Sequence, residues 1–264
     1  MCDAVRSNGA VPVVSGVAAG AALVGLDDET LERFLTRGAT KVSARDLGHA
    51  IVSGADGATT VAASLAIAEA AGIEVFATGG IGGVHRRSDP LAPVDESADL
   101  AELARARVIT VCAGAKSILD LPATLERLET HGVPVIGFGT HDFPGFFTAT
   151  SGLRVPARAD SVDAVAAAVL AAKALGRMAG LLVVQPPPAG AALDAALVES
   201  AVAQAVAGAD AADIRGAALT PFLLAAVERA TGGASLRANL ALLAANAALA
   251  ARIAVALRAA SRGN

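Results

Sequence analysis

Short apolar runs alternate along the chain with longer stretches rich in alanine and leucine. The short runs, which are dominated by valine and isoleucine, predict strands at 73–77, 108–112, 134–137 and 181–184. The longer stretches predict helices at 60–71, 98–106, 116–130, 162–175 and 193–207. Strands that are apolar throughout are typical of a sheet buried on both faces. The alternation therefore predicts an α/β fold with a mostly parallel sheet covered by helices.

Both ends of the chain add helices to this pattern. Asp27 or Asp28 can cap a helix that runs to about residue 36. The tail from 220 to 257 predicts helices joined by Thr231-Gly232-Gly233. At 264 residues the chain can bury a large core, and we expect a single domain over 1–264.

Composition and charge exclude several classes of partner. Tryptophan and tyrosine are absent, so a stacking platform for bases is not expected. The formal net charge is -4, which argues against nucleic acid as the main partner because phosphate backbones require clustered basic surface. Only two cysteines are present, Cys2 and Cys112, so no disulfide framework is expected.

No uninterrupted apolar run reaches the length of about 18 residues that a membrane span requires. The alanine-rich run near Val165 is interrupted by Lys173, and the last predicted helix carries Asn239, Asn246 and Arg252. We interpret both as packed helices. The N-terminus also lacks the charged-then-apolar pattern of a signal peptide. These features predict a cytoplasmic protein.

Lysine is rare in this chain, and one lysine follows a predicted strand. The lysines are Lys41, Lys116 and Lys173, whereas the other basic residues are arginines. A buried lysine can lose its proton and act as a nucleophile, which arginine cannot do. Lys116 ends the run Val111-Cys112-Ala113-Gly114-Ala115-Lys116, at the carboxyl end of the strand, where ligands of parallel sheets bind. We expect it on the first turn of a helix, whose positive terminus would lower its pKa. A surface position is the alternative for Lys116 and equally for Lys41.

A glycine-rich stretch, Thr78-Gly79-Gly80-Ile81-Gly82-Gly83-Val84-His85-Arg86, follows the first predicted strand. Its backbone amides can face an anion. It matches neither the Walker pattern nor the usual dinucleotide spacing. A tight crossing of strand and loop explains the glycines equally well, but the adjacent His85-Arg86 favours a phosphate or substrate loop.

Carboxylates cluster in Asp95-Glu96-Ser97-Ala98-Asp99. Ser97 or Asp95 can cap the helix that follows, and this is the simpler interpretation. The more specific interpretation is a site that binds a hard metal ion or sugar hydroxyls. No zinc-ligand spacing occurs, and the histidines are scattered, at His49, His85, His131 and His141.

Two amides, Asn239 and Asn246, lie on the last, largely apolar helix, beyond Gly232-Gly233. Amides need hydrogen-bond partners once they are buried. Asn239 can bind the edge of a planar heterocycle, and a hydrogen bond between helices is an equal alternative.

Taken together these segments resemble the pseudouridine-5′-phosphate glycosidase family, also called the indigoidine synthase A-like family. The resemblance runs in order from about Val5 to Leu257. It is carried by 41–47, 57–61, 76–86, 95–100, 112–120, 129–135, 220–224 and Thr231-Gly232-Gly233 with Asn239 and Asn246. The family cleaves the C–C glycosidic bond of pseudouridine 5′-phosphate to give uracil and ribose 5-phosphate. The resemblance implies a three-layer α/β/α sandwich with a mostly parallel or mixed central sheet, and a homotrimer.

The resemblance implies that Lys116 is the nucleophile that forms an imine with the anomeric carbon of the sugar. A C–C bond cannot be broken by protonating a leaving oxygen, so the sugar carbon must become an electron sink, and an imine supplies one. The carboxylate pair of ordinary glycosidases is therefore not expected. The other implied roles are phosphate binding by Lys41, a backbone contact at Val61, sugar and phosphate contacts from Ser97, Ala98 and Asp99, a base contact from Asn239, and a manganese ion held by Asp95 largely through water.

The chain departs from the family pattern at its beginning. Family members carry an additional N-terminal segment with a Glu in a Glu-Ser-Thr motif, which protonates the ring oxygen as the sugar opens. Here the matching residues begin near Val5, and Val13-Val14 stand where the family has Ala-Thr. Loss of a positioned general acid costs on the order of 100- to 10,000-fold in rate. We therefore expect either a misassigned start or a shortened, altered enzyme.

Two other functions stay open at this point. One is a C-ribosylating enzyme of natural-product biosynthesis, which would join ribose 5-phosphate to an aromatic acceptor. The other is a non-catalytic sugar-phosphate-binding protein. The presence of Lys116, Asp95 and Asp99 argues against the second.

Overall fold

The structure is a computed structural model that describes residues 1–87, 91, 93–177 and 180–262. Its strands are β1 Ser15–Ala18, β2 Ala21–Val24, β3 Thr40–Val42, β4 Gly57–Thr59, β5 Val75–Ala77, β6 Val84–His85, β7 Ile109–Cys112, β8 Leu119–Asp120, β9 Val135–Phe138, β10 Ala157–Ala159 and β11 Leu181–Val184. Its helices are α1 Cys2–Arg6, α2 Asp28–Arg37, α3 Leu47–Ser53, α4 Val61–Ala70, α5 Ala98–Arg105, α6 Leu121–Thr130, α7 Val162–Ala174, α8 Ala195–Ala211, α9 Leu219–Ala230 and α10 Ala234–Arg262.

The central sheet has five parallel strands in the order β10-β9-β11-β7-β5. All four predicted strands lie in it, and β7 is buried along its whole length. On one face Ile109, Val111 and Val183 pack with side chains of α7 and α10. On the other face Cys112 and Leu182 pack with side chains of α4, α5, α6, α8 and α9. The α/β fold with helices on both faces of a parallel sheet is confirmed.

A second, mixed sheet has the order β2-β1-β4-β3, and none of the four strands predicted above lies in it. Strand β1 pairs antiparallel with β2 and β4, whereas β3 and β4 are parallel. Its strands are only three or four residues long, which is too short for a periodic signal. Gly57 is required in β4, since a Cβ there would lie 2.7 Å from Val42 Cγ2. This sheet carries Lys41 on its edge strand β3.

The predicted helix 116–130 was wrong over its first turn. Residues Leu119–Asp120 form β8, which pairs antiparallel with β6, and α6 begins only at Leu121. The Asp120 carboxylate caps α6 by accepting a hydrogen bond from Ala123 N at 2.9 Å. Lys116 therefore lies in the loop between β7 and β8 and not on the first turn of α6.

Helix α10 is long and apolar enough to cross a membrane, by length and composition only. Within the described structure it packs along α7, β5 and β7, with Leu242, Leu249 and Ile253 fully buried. Such packing is that of a core helix, in keeping with the sequence interpretation.

Candidate active site

The segments that follow β5 and β7 continue side by side beyond the sheet. Ala113 N donates to the Gly79 carbonyl at 2.8 Å, and Ile81 N donates to the Gly114 carbonyl at 3.0 Å. Lys116 N then donates to the Ile81 carbonyl at 3.1 Å. This ladder of backbone hydrogen bonds holds the glycine loop, 78–83, against the segment that ends in Lys116.

The glycine loop needs its glycines because other groups approach its backbone closely. A Cβ on Gly80 would lie 2.6 Å from the Phe146 ring, and a Cβ on Gly82 would lie 2.2 Å from Ser97 Oγ. The amide of Gly82 donates to Asp99 Oδ2 at 2.8 Å. At Gly82, therefore, the amide binds an anion that the protein itself supplies.

Asp99 joins three parts of the chain. Its Oδ1 accepts from Ala62 N, in the first turn of α4, at 2.9 Å, and its Oδ2 accepts from Gly82 N. Ser97 caps α5, as one of the two sequence interpretations expected, by accepting from Asp99 N at 3.2 Å. Asp99 is 4% exposed, so its charge acts in surroundings from which water is largely excluded.

Lys116 is partly buried, and its pKa lies below the usual 10.5. Burial is the main cause, and the charge of Lys41 acts in the same direction. The charge of Asp99 opposes both by raising the pKa of Lys116. The sequence predicted the direction of this shift but assigned the wrong cause, because the lysine does not stand on a helix terminus.

Lys41 and His85 lie within electrostatic range of Lys116. Burial lowers the pKa of His85, Asp95 raises it, and Lys116 and Lys41 lower it further. Lys41 itself is exposed on β3. His85 Nε2 lies 3.4 Å from Thr220 Oγ1 on α9, and its buried Nδ1 has no hydrogen-bond partner among the described residues. A second cation and a partly buried imidazole therefore lie close enough to Lys116 to interact with its charge.

The remaining predicted residues border the same region. Val61 is the first residue of α4, directly before the Ala62 amide that binds Asp99. Ala98 is exposed at the start of α5. Asn239 is partly buried on α10, and its Oδ1 lies 3.1 Å from where a Cβ of Gly79 would stand. The fold thus gathers the predicted residues around the glycine loop and the first turns of α4 and α5.

The predicted metal site has less geometric support than the predicted substrate contacts. Among the described residues no group of three or more His, Cys, Asp or Glu side chains is placed to hold a metal ion. Asp95 is exposed, Glu96 is paired with Arg127 at 2.5 Å, and Asp99 binds backbone amides. Asp95 fits only an ion that is coordinated mostly by water.

Sequence reasoning missed Gln185, and it assigned Arg86 to a phosphate or substrate loop without predicting the protein groups that Arg86 binds. Gln185 follows β11 at the carboxyl edge and binds the Asn246 side chain. Arg86 binds Glu199 and the carbonyls of Ser117 and Leu119, which fixes the backbone just beyond Lys116. The carboxyl-edge rule would have identified Gln185. Nothing in the local sequence indicates the partner of Arg86, since Glu199 lies on distant α8.

Two cavities lie beside Arg86. The larger, about 590 Å³, is lined by residues that include Ser117, Thr148, Ser151 and Glu199. The smaller, about 230 Å³, is lined by residues that include His85, Asp95 and Asp210. Lys116 lines neither of these two cavities.

Comparison with known proteins places this geometry in a family. The family model of indigoidine synthase A-like proteins matches residues 1–256. A pseudouridine-5′-phosphate glycosidase of Gemmatimonas aurantiaca is 60% identical over 258 residues, which cover 97% of this chain and 83% of that protein. The corresponding protein of Herpetosiphon aurantiacus is 54% identical over 254 residues, covering 96% of this chain and 83% of the relative.

Solved structures show the same fold. The crystal structure of the prealnumycin C-glycosynthase AlnA in complex with ribulose 5-phosphate superposes with a TM-score of 0.92 at 42% identity, covering 99% of this chain and 86% of that one. An indigoidine synthase A-like protein of Thermotoga maritima superposes with a TM-score of 0.88 at 37% identity, covering 97% and 84%. The chain belongs to the indigoidine synthase A-like family.

Proposed function

We propose that this protein is a pseudouridine-5′-phosphate glycosidase that uses Lys116 to cleave the bond between the sugar and uracil. The observation that carries the proposal is a partly buried lysine of lowered pKa, held beside Asp99 and the glycine loop at the carboxyl edge of the sheet. The chain that carries this lysine is 60% identical to a protein named pseudouridine-5′-phosphate glycosidase.

The proposed chemistry uses the neutral form of the amine. Lys116 Nζ bonds to the anomeric carbon as the bond from that carbon to the ring oxygen opens, and the ring oxygen takes up a proton. The attached nitrogen, now cationic, loses a proton, and its regained lone pair forms the C=N bond. The C–C bond breaks as this bond forms, and its electrons pass to the uracil ring, which is protonated at C5. Water hydrolyses the imine and releases ribose 5-phosphate and the free amine. Because only the unprotonated amine can attack, burial of Lys116 favours the first step.

The surrounding residues bind and orient the substrate in this proposal. Lys41, exposed on β3, attracts the phosphate. Asp99 and Ser97 hold the sugar hydroxyls, with backbone contacts at Val61 and Ala98. Asn239 contacts the edge of the base, and the loop of Thr78, Gly79 and Gly80 with His85 lies between base and sugar. In support of these contacts, Val61, Ser97, Ala98 and Asp99 lie at the starts of α4 and α5, and Asn239 lies close to Gly79.

We further propose a divalent cation, Mn²⁺, held by Asp95 mainly through water, a cytoplasmic location and a homotrimer. When bound, the cation would add positive charge for the phosphate. Several large apolar side chains are exposed on α10, namely Leu236, Leu240 and Val255, and contact between copies would cover them. Light scattering of the purified protein tests the trimer.

A second function is favoured by one observation. AlnA, a C-glycosynthase, matches this chain with a TM-score of 0.92, and bond formation is the reverse of the cleavage proposed above. In that direction an aromatic acceptor, in place of uracil, would form a C–C bond to the imine carbon. The lower identity to AlnA, 42% against 60%, makes cleavage the main proposal.

The direct experiment is incubation of the purified protein with pseudouridine 5′-phosphate and a manganese salt, followed by measurement of free uracil. Borohydride added in the presence of ribose 5-phosphate and uracil should reduce the imine and leave a sugar adduct on Lys116, which mass spectrometry locates. Uracil release without an adduct on Lys116 would remove the proposed nucleophile. No uracil release, but bond formation between ribose 5-phosphate and an aromatic acceptor, would favour the second function.

A further inference from the structure

Asn246 is a buried amide on α10 whose partners lie at the carboxyl edge of the parallel sheet. Its Nδ2 donates to the Thr78 carbonyl at 2.8 Å and to the Gly79 carbonyl at 3.3 Å. Its Oδ1 accepts from Gln185 Nε2 at 2.9 Å. Carbonyl groups only accept hydrogen bonds, so the NH₂ group of Asn246 must face the glycine loop and its oxygen must face Gln185. The orientation of both amides is therefore determined.

This amide pair ties three strands to one helix. Gln185 follows β11, and its backbone N donates to the Cys112 carbonyl at the end of β7 at 3.1 Å. Thr78 and Gly79 follow β5. The Gly79 carbonyl accepts both from Asn246 and from Ala113 N, in the segment that leads to Lys116. A shift of α10 relative to the sheet must therefore move the backbone that carries Lys116.

The same helix also presents Asn239. It precedes Asn246 by seven residues, which is two helical turns or about 10 Å, so both amides lie on one face of α10. On that face Asn239 Oδ1 lies 3.1 Å from where a Cβ of Gly79 would stand. The spacing between Asn239 and Lys116 is thus fixed across the short stretch of loop that Asn246 holds.

We propose that Asn246 and Gln185 are a positioning pair that sets the spacing between Asn239 and Lys116, and with it the alignment of the leaving base and the attacked sugar carbon. The inference rests on the proposed function, since it assigns the sugar to Lys116 and the base to Asn239. Alignment matters here because the breaking C–C bond must overlap with the forming C=N bond, and displacements of about 1 Å can cost roughly 100-fold in rate.

Two substitutions remove different halves of the pair. Asn246→Asp keeps the size of the side chain and can still accept from Gln185, but offers no N–H to the Thr78 and Gly79 carbonyls. Gln185→Leu keeps most of the volume, adds no charge and removes the donor that orients Asn246. A matched control is Asn8→Asp, because Asn8 also donates to a backbone carbonyl, that of Ala4 at 2.8 Å, but follows α1 and lies outside both sheets.

The turnover number for uracil release should fall about 10- to 100-fold in Asn246→Asp and in Gln185→Leu. The Michaelis constant should change little, because the phosphate is held by Lys41 on the other sheet. The double variant should be no slower than the slower single variant, since both remove one unit. Asn8→Asp should turn over at the wild-type rate. If the variants fold, keep wild-type turnover numbers and only unfold at lower temperatures, the pair has a structural role alone and the proposal is wrong.

A second measurement does not depend on turnover. Reductive methylation of Lys116 by formaldehyde and cyanoborohydride, followed by mass spectrometry over a pH series, reports how freely its amine reacts beside Asp99, Lys41 and Cys112. In Gln185→Leu the pH at the midpoint of Lys116 labelling should rise, because a loosened loop admits water, which stabilises the protonated amine. Lys173 serves as the internal reference. If the wild-type protein releases no uracil, the proposed function fails, and an unchanged labelling profile in Gln185→Leu would then overturn the positioning pair independently.

Discussion

The two lysines near the glycine loop have contrasting surroundings. Lys116 lies beyond a fully buried strand of the parallel sheet, and burial lowers its pKa. Lys41 lies on the edge strand of the small mixed sheet and is exposed to solvent. The identity of the side chain alone therefore does not define the role of a lysine in this site. A lysine removed from water is a candidate nucleophile, whereas an exposed ammonium is suited to attract a phosphate.

Asp99 connects these two regions. It accepts one hydrogen bond from the start of α4, which follows the small sheet, and one from the glycine loop, which follows the parallel sheet. Its charge also acts on Lys116. The contrast between the lysines therefore depends on a carboxylate that holds both regions in place, and each of the following substitutions tests one part of it.

The largest effect is expected for Lys116→Arg. The positive charge remains but the nucleophile is lost, so uracil release should fall about 1,000-fold or more while the circular dichroism spectrum stays unchanged. Lys173→Arg is the matched control, because Lys173 lies on α7 and pairs with Glu74. Near wild-type turnover in Lys116→Arg would rule out the imine.

Asp99→Asn should break the connection between the regions. An Asn side chain has an oxygen in place of one carboxylate oxygen and an NH₂ group, which cannot accept, in place of the other. One of the two amides, Ala62 N or Gly82 N, therefore loses its acceptor. We expect a loss of about 2 kcal/mol in unfolding free energy, measured by urea denaturation, together with lower activity. Asp163→Asn, at an exposed carboxylate in the first turn of α7, is the control and should change neither. Equal stability of the Asp99 variant would show that its backbone bonds contribute little.

Lys41→Ala should raise the Michaelis constant for pseudouridine 5′-phosphate about 10- to 100-fold, the usual cost of a lost charge-assisted hydrogen bond to phosphate. The turnover number should fall much less. Unphosphorylated pseudouridine provides the comparison substrate and Arg45→Ala a nearby control, since Arg45 is exposed and paired with Asp46. An equal loss with both substrates would contradict phosphate binding.

The smallest effect concerns stability. Because the pKa of Lys116 is lowered in the folded chain, the unfolded chain binds more protons between that lowered value and 10.5, so stability rises with pH across this window. Below this window the buried ammonium costs stability, and Lys116→Met should there raise the unfolding free energy by about 1 kcal/mol. Lys173→Met should not. A destabilised Lys116→Met would show that pairing with Asp99 outweighs the cost of burial.

The sequence alone predicted the central parallel sheet and most of the helices around it, because the strands of that sheet are apolar throughout and the helices are long. It also identified Lys116, the glycine loop and the Asp95–Asp99 cluster, because each follows a predicted strand or precedes a predicted helix. The resemblance that these segments carry added the family, which the comparisons confirm.

Tertiary structure decided what depends on contacts between distant residues. Residues 117–118 form a turn and 119–120 a short strand, where the sequence predicted a helix, because β6 and Arg86 take up backbone hydrogen bonds there. This changes the cause of the lowered pKa of Lys116 from a helix terminus to burial. The Asn246–Gln185 pair joins residues 61 positions apart. The local pattern shows which residues are apolar or polar, but which polar groups lie next to one another is decided only when the sheets and α10 pack together.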